Sequence, residues 1–420
     1  MTQLEIFDTI VGIMQEDSST KKDKKGADPT PYRDQLLTDL PKEDFIYLVR
    51  TYLASFGVLG HIWYHSPAAP RLGAFLRRHE DSLYVLDSDS GNGLEVGDRI
   101  IAIGGQPLDQ VYQEHQAFFV SPTPERQYME WAYLVKKAEQ VSLFRNGQFL
   151  QVEIGDCQDS AEQEAFAWNW LDDHTLYMKM ENFYDEEKIG QLYTQIEPLL
   201  PMVKNLIIDV RVNSGGSDSL YWPLLKYALP AGKSYKDMVT DEVGMEILYT
   251  PTNVAHRRKL FEQDLRDPHL SAESRAFTES LLADLEVHQG AGYVCADDEE
   301  DYLADYRGLE GGPDKIYILS DVRCASSGDN FVQTFKPLPK VTVVGRATLG
   351  ILDYSNCCFA EFGDDYLMYP TSRSLEIDKG NGMTDRGVEP DIYIPWTPEH
   401  LESDVDLDYV LKLIQTSEIF

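Results

Sequence analysis

Beyond Gln158 the chain alternates short, unbroken apolar runs with helical stretches, and this alternation restricts its fold more than any other feature. The runs TLYMKM, NLIIDVR, KIYILSD and KVTVVG are too short for helices. They are also too continuous for half-exposed strands, so they read as strands buried on both faces. DEEKIGQLYTQIEPLL, SLYWPLLKYAL and the CASSGDNFVQTFK run supply helices between them. The pattern predicts an α/β domain on a mainly buried sheet over residues 158–400.

A chain of 420 residues has room for two or three such units. Residues 1–65 form a helical N-terminal region, with EDFIYLVRTYLASFG as an amphipathic helix and LGHIWYHS directly after it. Within that region SSTKKDKKGADPTP reads as a charged, flexible patch. Residues 66–157 change character to short strands and tight turns. There GNGLEVGDRIIAIGGQPLDQV places strands between Gly-containing turns, and VSLFRNGQFLQVEI predicts a hairpin around Asn146-Gly147. An excursion rich in charged helical sequence interrupts the α/β domain at about 232–312. It ends in ADDEEDY, which lacks the glycine and spacing of an EF-hand loop and reads as a solvated acidic face. A final helix closes the chain over 401–420.

Composition narrows the function classes. Hydrophobic residues at 43% and charged residues at 26% are those of a soluble globular protein. Seventy-one acidic against 37 basic residues leave a formal charge of −34, which repels phosphate backbones and anionic lipid. Nucleic acid is therefore excluded as a partner, and a substrate drawn in by long-range charge is neutral or basic. No stretch of about 18 apolar residues is present to span a membrane. The first residues, MTQLEIFDTIVGIMQED, do not have the pattern of a secretory signal. The five cysteines include no CxxC pair, which favours free thiols in a reducing compartment. The expected location is the cytoplasm.

Chemistry can be sought at three places. Ser326 lies in DVRCASSGDNF, between a strand and a helix, where backbone N–H groups and the helix dipole favour an oxyanion. Serine is equally a good helix N-cap, so the position alone does not establish a nucleophile. The strand NLIIDVR runs into NSGG, whose Gly215 and Gly216 let main-chain N–H groups approach a ligand; a tight turn would need the same glycines. A serine nucleophile also needs a base. Nine histidines are available, and spacing alone does not choose among them. His61 and His65 lie four apart but without the glutamate of HExxH, so a zinc site is not expected.

Together these residues resemble the S41 serine peptidases, the group of the C-terminal processing proteases and the tricorn core protease. The likeness runs over most of the chain, in order: Gly60-His61 after the helices, then GLEVGDRIIAIGG from Gly93 to Gly105, similar to a PDZ module. NLIIDVRVNSGG, CASSGD, VTVVGRATLG and DRGVEPDIYI follow as the family's strand, nucleophile, T-x-G and closing motifs. The resemblance implies a crotonase/ClpP-like core of ββα units carrying an inserted PDZ-like domain. It implies Ser326 as nucleophile, with an oxyanion hole from the N–H of Gly215 or Gly216 and of Ser327. The processing branch uses a lysine as base where this chain has Ile351. The tricorn-like branch uses a histidine, which His61 matches, although Gly60 replaces that branch's preceding serine. Its glutamate falls near Thr384, making Asp385 the nearest carboxylate to orient His61. Asp329 stands where the nucleophile motif usually has glutamate, and reads as structural.

The expected function is that of a serine peptidase acting on peptides or unfolded segments, without metal or organic cofactor, in a possible homo-oligomer. The other reading is a catalytically inactive relative that binds peptides through the PDZ-like module. Acyl-CoA chemistry, which the crotonase likeness would allow, finds no CoA or adenine pocket in the sequence.

Overall fold

The computed structural model describes residues 1–158, 164–239, 244–268, 270, 272–296, 303 and 306–417. Three sheets organise them. The largest buried sheet runs in the order Ile392–Tyr393, Val341–Gly345, Lys315–Ser320, Asn205–Asp209, Thr175–Met180, Phe166–Trp170. All neighbours in it are parallel except the last pair, which is an antiparallel hairpin. The four apolar runs named above supply its central strands, and Asn205–Asp209 is buried along its whole length. One face packs against the helices Glu186–Ile196 and Ser327–Phe335 through Ile189, Ile196, Phe331 and Phe335. The other face is covered by the helix Val405–Ser417, with Val410 and Ile414 against Tyr317, Leu319 and Val344. Continuous apolar strands are thus explained by helices on both sides. This is a mixed α/β fold.

A second sheet orders Ala74–His79, Ser82–Ser88, Arg99–Ile103, Gln140–Arg145 and Gln148–Glu153, with Gln106–Pro107 paired at one side. The helix Tyr128–Ala138 packs on it through Trp131, Leu134 and Val135. Asn146 and Gly147 both have positive φ, the geometry of a two-residue hairpin turn.

The third sheet is not foreseen from sequence. It joins Trp63–His65, Asp365–Ser374, Met245–Tyr249 and Gly292–Cys295, with Tyr354–Phe362 paired to Asp365–Ser374, all antiparallel. The excursion at 232–312 therefore contributes two strands as well as the helices Pro251–Asp264 and Ala272–His288. Most of the acidic run, residues 297–302, lies outside the described residues.

Two local expectations fail. The charged patch after residue 16 is held in place: Ser18, Ser19 and Thr20 are fully buried, and Asp23 pairs with Arg373. Pairing to a distant guanidinium offsets the desolvation of that charge, which composition alone does not reveal. SLYWPLLKYAL is broken into two 3₁₀ turns and the short helix Leu225–Ala228, because Pro223 cannot supply a helical N–H.

Candidate active site

Ser326 sits where the strand Lys315–Ser320 has ended and the helix Ser327–Phe335 begins. Its backbone has φ 57° and ψ −120°, a conformation that costs a non-glycine residue free energy. Sharp strand-to-helix turns of this kind lift a serine hydroxyl clear of the main chain. The loop before it is fixed at several points. Val322 N–H donates to Asp321 Oδ1 at 2.7 Å, and Ala325 N–H donates to Asn213 O at 2.9 Å. Leu349 N–H donates to Cys324 O at 2.7 Å.

The Gly-Gly turn lies against this serine. A Cβ on Gly215 would fall 2.6 Å from Ser326 Cβ and 3.2 Å from its Oγ, so only glycine permits the approach. Gly215 has φ 91°. Its N–H donates to Asn213 Oδ1 at 2.9 Å, while Asn213 Nδ2 donates to Met180 O. The amide of Gly215, one of the two glycines expected as oxyanion donors, is therefore already engaged. The N–H groups of Gly216 and Ser327 donate to no acceptor among the described residues. Ser327 Oγ donates to Gly216 O at 2.6 Å and so ties the two together.

His61 comes from a different part of the chain, between the helix Lys42–Ala54 and the strand Trp63–His65. Its Nδ1 lies 2.6 Å from Tyr354 O and 3.0 Å from Ile351 O. Both neighbours are carbonyls, so Nδ1 must carry the proton and Nε2 is left with a lone pair. Burial pushes the ring pKa below its ordinary value, and the two carbonyls only partly restore it. The imidazole is neutral at neutral pH, in the tautomer that a general base requires.

Among the described residues no carboxylate hydrogen-bonds this ring. Asp385, expected in that role, instead accepts hydrogen bonds from the hydroxyls of Ser121 and Thr123, the latter at 2.8 Å. It sits at a positive φ of 61° and faces the loop before the helix Tyr128–Ala138. The two main-chain carbonyls take the place that sequence reasoning gave to Asp385.

The serine and histidine segments meet around residues 349–351. Leu59 shares an apolar cluster with Val322, Ala325, Leu349 and Ile351. Asp329, completely buried, accepts from Ser326 N–H at 2.8 Å, Gly350 N–H at 2.8 Å and Ile351 N–H at 3.2 Å. Arg126 braces the same segment, donating to Leu349 O, Thr348 O and Arg386 O. Neither Asn213 nor Arg126 was singled out from sequence. Asn213 had a signal in its place beside the Gly-Gly pair, whereas Arg126 had none. Among the described residues no cluster of three or more His, Cys, Asp or Glu could hold a metal ion.

The family model of peptidase family S41 matches residues 174–394, more than half of the chain. The chain belongs to peptidase family S41. As an S41 peptidase it is a hydrolase whose substrate class is peptide or protein. Two solved structures resemble this S41 chain over nearly its full length. Mature CPAF has a TM-score of 0.67 at 13% identity, covering 98% of this chain and 96% of that one. Mature CPAF complexed with lactacystin has a TM-score of 0.64 at 14% identity, covering 98% and 97%. At these identities the likeness is one of fold. No curated protein matches the chain significantly in sequence.

Proposed function

We propose that this S41 chain is a serine peptidase of the histidine-containing design, with Ser326 as nucleophile and His61 as general base. The observation that carries the reading is the His61 ring itself, a neutral imidazole held at Nδ1 by two carbonyls. With Nδ1 held in this way, Nε2, which has no hydrogen-bond partner among the described residues, is the nitrogen left to accept a proton. Ile351 occupies the position of the processing branch's lysine, which supports a histidine base.

In this reading His61 Nε2 takes the proton of Ser326 Oγ as Oγ bonds to the substrate carbonyl carbon. The oxyanion is met by the N–H groups of Gly216 and Ser327. Collapse of the adduct breaks the C–N bond, and His61 returns the proton to the leaving amine. Water then hydrolyses the acyl-enzyme with His61 again as base. None of these steps calls on a cofactor. The module at 66–157 is read as PDZ-like because its edge strand Ala74–His79 lies beside the helix Tyr128–Ala138, an arrangement able to add a peptide strand. Free cysteines, Cys157, Cys295, Cys324, Cys357 and Cys358, are in keeping with a cytoplasmic location.

A fluorophosphonate probe tests the assignment. Ser326 should be the labelled residue, and both Ser326→Ala and His61→Ala should lose labelling and peptide turnover, by about 10⁴-fold or more. Undiminished turnover by His61→Ala would remove the base. An unlabelled wild-type protein that still binds peptide would leave the inactive, peptide-binding reading in its place.

A further inference from the structure

Asp329 is hydrogen-bonded more widely than a helix start requires. A carboxylate at the third helical position commonly bonds the amide of its own N-cap, and the Ser326 N–H bond is that ordinary contact. The other bonds reach out of the helix. Oδ1 accepts from Gly350 N–H, and Oδ2 accepts from Ile351 N–H as well as from Ser326 N–H, while the Thr348 hydroxyl nearby favours the ionised form of the same carboxylate. Gly350 and Ile351 lie beyond the strand Val341–Gly345 and make no part of the cap. Ile351 is also one of the two residues whose carbonyl holds His61 Nδ1.

A short path therefore connects the two reacting side chains through the main chain. It runs from Ser326 N–H to Asp329 Oδ2, from Oδ2 to Ile351 N–H, and from Ile351 O to the imidazole. We infer that Asp329 is a positioning residue, whose single carboxylate sets the nucleophile in register with the base. The inference rests on the Ser326–His61 reading. It gives Asp329 a task beyond capping, because the conformation of Ser326 at φ 57° is one that serine does not hold unaided.

Ionisation of Asp329 then governs the register. Burial pushes its carboxyl up to about 6, in spite of the donors around it. The titratable and charged groups facing it are Arg126 and Tyr128, just before and at the start of the helix Tyr128–Ala138, and Cys324 from its own loop, with the Thr348 hydroxyl from the opposite side. A protonated carboxyl turns one acceptor into a donor, and must give up at least one of the N–H groups. Stability and activity respond in opposite senses. A raised carboxyl favours the folded state below its unfolded value and loses that contribution as pH rises through about 6. Activity instead needs the ionised form and falls as pH drops through the same range.

Two variants of the full chain test this. Asp329→Asn should lower kcat about 100-fold, the penalty of misplacing reacting groups, with KM little changed and Ser326 labelling slowed in parallel. Thr348→Val removes a donor that favours the ionised carboxyl, so the acid limb of kcat should move to higher pH. Because Asp329→Asn buries an altered group and can cost folding, Thr348→Val carries the test where that variant does not fold. A folded Asp329→Asn enzyme with wild-type kcat overturns the inference, and so does an acid limb that Thr348→Val leaves in place. Wild-type protein unlabelled at Ser326 would overturn the peptidase reading first, which separates the two failures.

Discussion

At the residue scale, function in this chain depends on which buried groups have partners. The His61 ring suits the base proposed for it because two carbonyls fix its proton and burial holds its pKa below the ordinary value. Glu130 is the contrasting case. It is 4% exposed; Oε1 accepts from Val120 N–H at 3.4 Å, and Oε2 makes no hydrogen bond among the described residues. Burial pushes its carboxyl up to about 7, against the pull of its own and the Val120 amide and of Arg50. A raised carboxyl stabilises the fold relative to its ionised form below about pH 4.5 and loses that contribution as pH rises through 7. Glu130→Gln removes the titration while keeping the acceptor for Val120. The variant should gain up to about 3 kcal/mol over wild type at pH 8, with the difference shrinking towards pH 5. Urea unfolding at the two pH values reads this directly, and an equal difference at both would contradict it.

At the element scale, the two strand-turn-helix units divide the work. One presents Ser326, and the other packs a glycine against it. Gly215 at φ 91° is where glycine is indispensable, since a Cβ would meet Ser326 Cβ at 2.6 Å and Ala325 O at 3.0 Å. Gly215→Ala should cost about 1–3 kcal/mol of stability from the strained backbone. It should cost about 100-fold in kcat/KM as the turn pushes Ser326 out of line. Equal labelling rates for the variant and wild type would show that the turn does not set the serine. Elements also account for what was misread. SLYWPLLKYAL has helical periodicity, but its proline falls inside the segment and shortens the helix to Leu225–Ala228. The strands Met245–Tyr249 and Gly292–Cys295 were hidden because Met245–Tyr249 pairs with Asp365–Ser374, far along the chain, and Gly292–Cys295 pairs with Met245–Tyr249 across two intervening helices.

At the scale of the whole molecule, a buried ion network links the second sheet to the largest sheet and the final helix. Arg77, on the edge strand of the second sheet, donates to Asp321 Oδ2 at 2.7 Å. Arg346 donates to the same oxygen at 2.9 Å and to Asp406, at the start of the final helix, at 2.6 and 2.8 Å. Arg323 stacks on Phe75 beside it, 4.2 Å from the ring centroid. Asp321 and Arg323 belong to the loop that leads into Ser326, so the edge strand of the second sheet is anchored directly to that loop. Burial opposes ionisation of Asp321, but Arg77 and Arg346 outweigh it and hold its carboxyl far below the usual range. A lowered carboxyl contributes stability above its unfolded value, and keeps contributing until pH falls through its folded one. Asp321→Asn leaves two buried guanidinium groups short of a counter-charge. It should destabilise the chain by about 3–5 kcal/mol, measured by denaturant unfolding at neutral pH. A loss within experimental error would mean the network adds nothing to stability.

Local patterning was enough to determine the α/β character of the second half, the hairpin at Asn146-Gly147, the helix leading to His61 and the glycine turn before Ser326. Each of these depends on residues close together in the chain, where periodicity and turn chemistry act. Tertiary structure decided the rest. It turned Asp385 towards Ser121 and Thr123, gave His61 two carbonyls in its place, engaged the Gly215 amide with Asn213, and brought Asp329 to Ile351. Those partners are main-chain groups or side chains brought together by folding. A main-chain carbonyl is the same in every residue, so no choice of amino acid announces which one will meet a buried imidazole.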